Sequence, residues 1–110
     1  MSHSQIKRLL LTAALVCGPV QAEFYSGNDL LQKMDGEFSD RSLALGFVAG
    51  VADVWTNISV CPPKNVTLGQ AHDIVRRYLV DNPQTRHFTA ESLAKNALER
   101  VWPCRRGSGT

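Results

Sequence analysis

Of the three cysteines in this chain, Cys17 falls in a stretch that reads as a cleaved leader. Cys61 and Cys104 are then the only thiols beyond it. Residues 1–22 run MSHSQIKRLLLTAALVCGPVQA. The Lys7-Arg8 pair precedes an apolar run from Leu9 to Val16, then the helix-breaking Gly18-Pro19 and a closing Val20-Gln21-Ala22. Small residues three and one before a cut after Ala22 are what signal peptidase accepts. The apolar run is too short to span a bilayer. Lipidation at Cys17 is the competing reading, but it needs a small residue just before the cysteine, and Val16 stands there. An export route ends in an oxidising compartment, so the two remaining thiols are expected to be joined. Two cysteines allow one intramolecular pairing, Cys61–Cys104; the alternative is a bridge between two chains. Closing that loop stabilises the fold by about 4 kcal/mol on the chain-entropy model. In a domain this small, which buries only about 60–65% of its unfolded surface, that is a large share.

The leader also carries the excess charge. The whole chain has 12 Lys+Arg against 10 Asp+Glu, and without Lys7 and Arg8 the two balance at 10 each. A basic footprint for nucleic acid or for an anionic membrane is excluded. With 44% hydrophobic and 20% charged residues, the rest of the chain has the composition of one small globular domain. The expected division is a leader over 1–22, a domain over 23–104 and a polar tail over 105–110.

Hydrophobic spacing is helical almost throughout, which predicts an all-α fold of four helices. Over 26–36, Leu30, Leu31 and Met34 follow the capping-type residues Ser26 and Asn28 and precede Gly36. A longer helix is expected over 40–58, with Leu43, Phe47, Val51, Val54, Trp55 and Ile58 as one stripe. Leu45, Val48 and Ala52 make a second face apolar, so this helix should be central and largely surrounded. Asp53 and Asn57 argue against a membrane span there, because a carboxylate at bilayer depth is costly. Gly46 and Gly50, one turn apart, each weaken a helix by about 1 kcal/mol relative to alanine. A close approach by another helix, from this chain or a second copy, is the expected compensation.

Pro62-Pro63 forbid continuation. Thr67-Leu68-Gly69-Gln70 then reads as a capping box opening a third helix to about Val80, which Asn82-Pro83 stops. Its inward residues are expected to be Leu68, Ala71, Ile74, Val75, Tyr78 and Leu79. Thr89 begins the last helix, with Ala90, Leu93, Ala94, Ala97, Leu98, Val101 and Trp102 buried and Pro103 ending it.

Catalytic constellations are missing from the sequence. There is no nucleophile elbow, no His-Glu-x-x-His, no phosphate-cradling glycine loop and no Cys-x-x-Cys. Beyond the leader only His72 and His87 could serve a metal, too few for a site, so neither a catalytic residue nor a cofactor is expected. His72 and Asp73, adjacent on a helix, point about a hundred degrees apart and are not expected to pair. Asp53, inside an apolar helix, needs partners; it is read either as a structural acceptor or as a contact to another protein. The two Asn-x-Ser/Thr patterns at Asn57 and Asn65 are frequent by chance and are not read as modified.

Several pieces, in order, resemble one family. They are Gly27-Asn28-x-Leu30-Leu31, Gly46-Phe47-x-x-Gly50-Val51-x-Asp53, Cys61-Pro62, Val66-Thr67-x-Gly69-Gln70, Leu79-x-x-Asn82-Pro83 and Ala97-Leu98 with Trp102-Pro103-Cys104. This set is similar to the Tai/Rap immunity proteins of bacterial type VI secretion. The resemblance implies a small helical periplasmic protein, not an enzyme, that forms homodimers and caps the active-site groove of a secreted peptidoglycan amidase. Many members carry a further cysteine pair between the first two helices. Met34 and Leu45 stand where those cysteines are expected, so one disulfide is replaced by apolar contacts.

Inhibition of this kind needs a rigid protruding segment with a few central anchors. Two segments are candidates. One is Asp35–Asp40, with Asp35, Glu37, Phe38 and Asp40; the other is Pro83–Phe88, with Gln84, Arg86 and His87. Phe38 either stands exposed among these charges or folds back onto the core. The alternative function is a periplasmic chaperone-like or structural helical protein with an unrelated partner, although an acid-triggered chaperone needs many titrating carboxylates and ten acidic residues are no more than an ordinary number.

Overall fold

The computed structural model describes residues 24–105; residues 1–23, with the expected leader and Cys17, and residues 106–110 lie outside the described residues. Four helices form, with no strand among the described residues: α1 (Gly27–Met34), α2 (Phe38–Trp55), α3 (Leu68–Asp81) and α4 (Ala90–Val101). A single 3₁₀ turn, Pro83–Thr85, separates α3 from α4. No described helix is long and apolar enough to cross a membrane.

Local chemistry starts three of the helices. Ser26 and Asp29 form a capping box on α1, each accepting from the other's backbone N–H at 3.1 and 3.0 Å. Thr67 and Gln70 do the same on α3 at 3.2 and 2.9 Å, as the sequence predicts. Thr89 caps α4. α2 has no side-chain cap; it begins at Phe38, two residues before its expected start, and ends at Trp55, three residues short of Ile58. Asn57 ends it by taking the left-handed conformation at φ 67°, which asparagine tolerates.

Each helix packs on the other three. Leu30 and Met34 of α1, Ala44, Val48 and Val51 of α2, Ala71, Val75 and Leu79 of α3, and Ala90, Leu93, Ala94, Ala97 and Leu98 of α4 meet in one core. Val60 joins them from the loop after α2. Met34 is buried in this core and Leu45 is half-buried.

Cys61 and Cys104 are joined, with Cα atoms 4.9 Å apart. The bond lies beside a backbone pairing: Val60 bridges Pro103, and the Cys61 N–H donates to the Trp102 carbonyl at 2.8 Å. The pairing is the intramolecular one, tying the loop before α3 to the end of α4.

α2 is not surrounded. Its three neighbours all lie on the face of Ala44, Val48 and Val51, and the opposite face is open. Leu43, Val54 and Ile58, expected inside, are exposed by 46%, 60% and 66%. Leu68 and Val101 are likewise half out in water, because each sits at the edge of its helix's inward stripe. A Cβ added at Gly46 or Gly50 would meet nothing within 4 Å, so no other helix among the described residues makes the close approach expected there. Asp53 lies on the same open face and is exposed, so its carboxylate needs no buried partner.

Candidate protein-interaction surface

The two candidate segments sit at opposite ends of α1, about 12 Å apart at 1.5 Å per helical residue. The segment after α1 is partly tied down. Asp35 is the C-cap of α1 and takes a two-pronged contact from Arg76 of α3, Nε at 3.0 Å and a terminal nitrogen at 3.2 Å. The pair raises the Arg76 pKa above its ordinary value through the hydrogen bond to Asp35 and its charge. Asp40 lies 3.9 Å from Lys33. Glu37 is exposed and caps nothing. Phe38 does not fold back: it is 78% exposed at the first turn of α2. An aromatic ring fully in water beside charged groups is the kind of feature that a partner covers.

The second segment is held by the N-terminus of α1. Four amides there have no partner within the helix, and each is satisfied. Asp29 N–H donates to the Ser26 hydroxyl and Ser26 N–H to the Asp29 carboxylate. Gly27 N–H donates to the Phe88 carbonyl and Asn28 N–H to the Arg86 carbonyl, both at 2.9 Å. Ala90 N–H returns a bond to the Tyr25 carbonyl at 2.7 Å, and Ser26 bridges Thr89. The capping hydrogen bonds, the backbone bond first and the side-chain bond second, hold the Asp29 carboxyl below the ordinary aspartate range.

Pinned this way, the loop presents its side chains outward. Gln84 is exposed and donates weakly to Asn82 at 3.4 Å. His87 and Phe88 lie ring to ring with centroids 4.3 Å apart, and Phe88 is 51% exposed. Arg86 is half-buried, and its Nε is enclosed with no hydrogen-bond partner among the described residues. Phe88 lies on this surface with the three residues singled out from the sequence, and Phe24, 82% exposed before α1, is a further aromatic in water. Neither is distinguishable by sequence from a core aromatic.

His72 and Asp73 do pair, Nδ1 to Oδ1 at 3.2 Å. Adjacent side chains on a helix diverge at Cβ, but a long imidazole and a short carboxylate at the exposed edge of α3 still reach one another. Among the described residues no three His, Cys, Asp or Glu side chains converge as a metal site would require.

A small, disulfide-tied bundle with charged and aromatic side chains projecting from a pinned loop has the geometry of a protein that binds other proteins. A family model of the Rap1a immunity proteins matches residues 26–104, which is most of the chain and all four helices. Comparison with curated protein sequences gives no match. The chain belongs to the Rap1a immunity protein family.

Proposed function

We propose that this protein is the periplasmic antidote to a peptidoglycan amidase delivered by type VI secretion, and that it acts by occlusion rather than by chemistry. The family match over residues 26–104 is the observation that carries the reading. The surface agrees with it. A groove-blocking inhibitor needs a segment whose backbone is fixed before it binds, so that little conformational freedom is lost on association. The Gln84–Phe88 loop, anchored to α1 through Gly27 and Asn28, meets that requirement. His87, Phe88 and the half-buried Arg86 are of the aromatic and arginine types that dominate such contacts. Phe38 and Glu37, at the other end of α1, form the second part of the contact, with Asp35 and Asp40 at its rim.

Self-association into a homodimer belongs to the same reading. The surface we assign to it is the open face of α2, where Gly46 and Gly50 offer close approach and Leu43 and Val54 offer apolar area. An antiparallel pair of α2 helices about a two-fold axis would set Leu43 beside the partner copy's Val54 and Gly46 beside its Gly50.

The direct test is titration calorimetry with a purified peptidoglycan amidase secreted by the producing cell. The expected result is a stable complex with equal numbers of the two chains, weakened by substitution of Arg86, His87 or Phe38. Absence of binding to that enzyme, and to any other secreted amidase of the producing cell, overturns the reading.

A further inference from the structure

Gly27 is the one residue of α1 at which the loop and the helix come too close for a side chain. It is buried, and a Cβ built on it would lie 2.9 Å from the Arg86 carbonyl oxygen and 3.1 Å from the Arg86 Cα. Both of those are backbone atoms and cannot swing aside as a side-chain tip would. The same Cβ would overlap the end of Leu93. At this spot the chain makes two of its bonds from helix to loop, Gly27 N–H to the Phe88 carbonyl and Asn28 N–H to the Arg86 carbonyl. The helix therefore donates two of its four orphan amides to the loop instead of to water or a capping side chain.

We infer that Gly27 is a positioning residue for the partner-facing loop: its missing side chain lets the N-terminus of α1 clamp residues 86–88 in the conformation that binds. This rests on the reading that the Gln84–Phe88 loop contacts the amidase. Gly27 itself is buried and touches no partner; it acts through the placement of Arg86, His87 and Phe88. The reason glycine is needed here is space and not backbone freedom, because Gly27 lies within the regular α-helix. Any side chain, alanine included, must push the loop backbone outward and lengthen both bonds.

The test compares Gly27→Ala with Val48→Ala, which opens the core on α2 and alters none of the atoms that form the clamp. Amide exchange at positions 27 and 28, followed by NMR in the free protein, reports the clamp. Inhibition of the purified amidase reports its use. In wild type both amides are expected to exchange at least a hundredfold more slowly than free peptide. Gly27→Ala is expected to speed both by tenfold or more and to weaken inhibition at least tenfold. Val48→Ala is expected to lower thermal stability while leaving the inhibition constant within twofold of wild type. The inference is overturned if the two wild-type amides exchange freely, a result that needs no variant to fold. It is equally overturned if Gly27→Ala loosens the amides but inhibits as wild type does, or if Val48→Ala loses inhibition to the same degree. A wild-type protein that does not inhibit the amidase defeats the amidase reading alone, and the exchange data still decide whether the clamp exists.

Discussion

The indole N–H of Trp55 donates to Oε1 of Glu91 across 2.9 Å, joining the last residue of α2 to the first turn of α4. Lys95 completes the arrangement, its ammonium 4.1 Å from the centre of the Trp55 ring. Glu91 also stands where a carboxylate complements the helix dipole. Trp55→Phe keeps the ring but removes the donor. It is expected to cost about 0.5–1.5 kcal/mol, the net worth of one hydrogen bond. Thermal unfolding should fall by several degrees, and an unchanged midpoint would show that water replaces the contact without loss.

The Cys61–Cys104 bond closes a loop that includes all of α3 and α4. Replacing both cysteines by serine is expected to lower unfolding free energy by about 4 kcal/mol. Urea denaturation of the double variant against wild type measures it. The neighbouring Val60–Pro103 pairing is made by the backbone, so helix content by circular dichroism should survive where the variant remains folded.

Gly46 is solvent-facing in the single chain, with open space where a methyl would go. Diluted to the monomer, Gly46→Ala should be more stable by about 1 kcal/mol, since alanine is the better helix former. At concentrations where the chain self-associates, the same methyl should hinder the approach of a second α2 and weaken the dimer. Sedimentation velocity reads the second effect. A variant that dimerises as wild type does would place the contact elsewhere.

Asp29 makes the α1 capping box sensitive to acid. Its carboxyl is held below the ordinary value of 3.8, first by the Ser26 backbone N–H and then by the Ser26 hydroxyl. A depressed folded-state pKa means that the native state binds fewer protons than the unfolded one in this range. The contribution is therefore complete above about 3.8 and disappears as pH falls through the lower folded value. Asp29→Asn should flatten this part of the stability profile between pH 5 and pH 2, as followed by urea denaturation. A profile identical to wild type would show that the capping box is not formed in solution.

Arg86 holds an enclosed Nε with no acceptor among the described residues, and an orphaned buried donor costs about 1–3 kcal/mol. Arg86→Met, similar in length and without that donor, should be as stable as wild type or up to about 1 kcal/mol more stable, while inhibiting less well. Such a trade marks a residue kept for binding. A clear loss of stability would show that the arginine serves the fold.

Much of the scaffold is legible in the sequence because its signals are local. The Thr67–Gln70 capping box, the Pro62-Pro63 break, the Asn82-Pro83 stop and the Thr89 cap each act within four residues, and each lies where the sequence places it. The start of α2 is not legible, because Asp40 looks like a cap and the uncapped Glu37–Phe38 gives no signal. Nor can the orientation of α2 be read. With Leu43, Phe47, Val51 and Val54 on one side and Leu45, Val48 and Ala52 on another, periodicity does not say which stripe faces the core. The small residue Ala44 and the neighbouring Val48 turn out to be fully buried, while Leu43 and Val54 face water. The loop clamp is invisible for a different reason: its donors and acceptors are backbone atoms about sixty residues apart, and only the absence of a side chain at Gly27 marks the spot.

Obstruction of an enzyme is the central proposal, and a titration of enzymatic activity tests it most directly. Peptidoglycan hydrolysis by each secreted amidase of the producing cell is followed while the purified protein is added. The predicted result, for one of them, is a linear fall to no activity at one chain of this protein per enzyme, with both chains recovered intact. Full hydrolysis by every one of them in the presence of a large excess would contradict it.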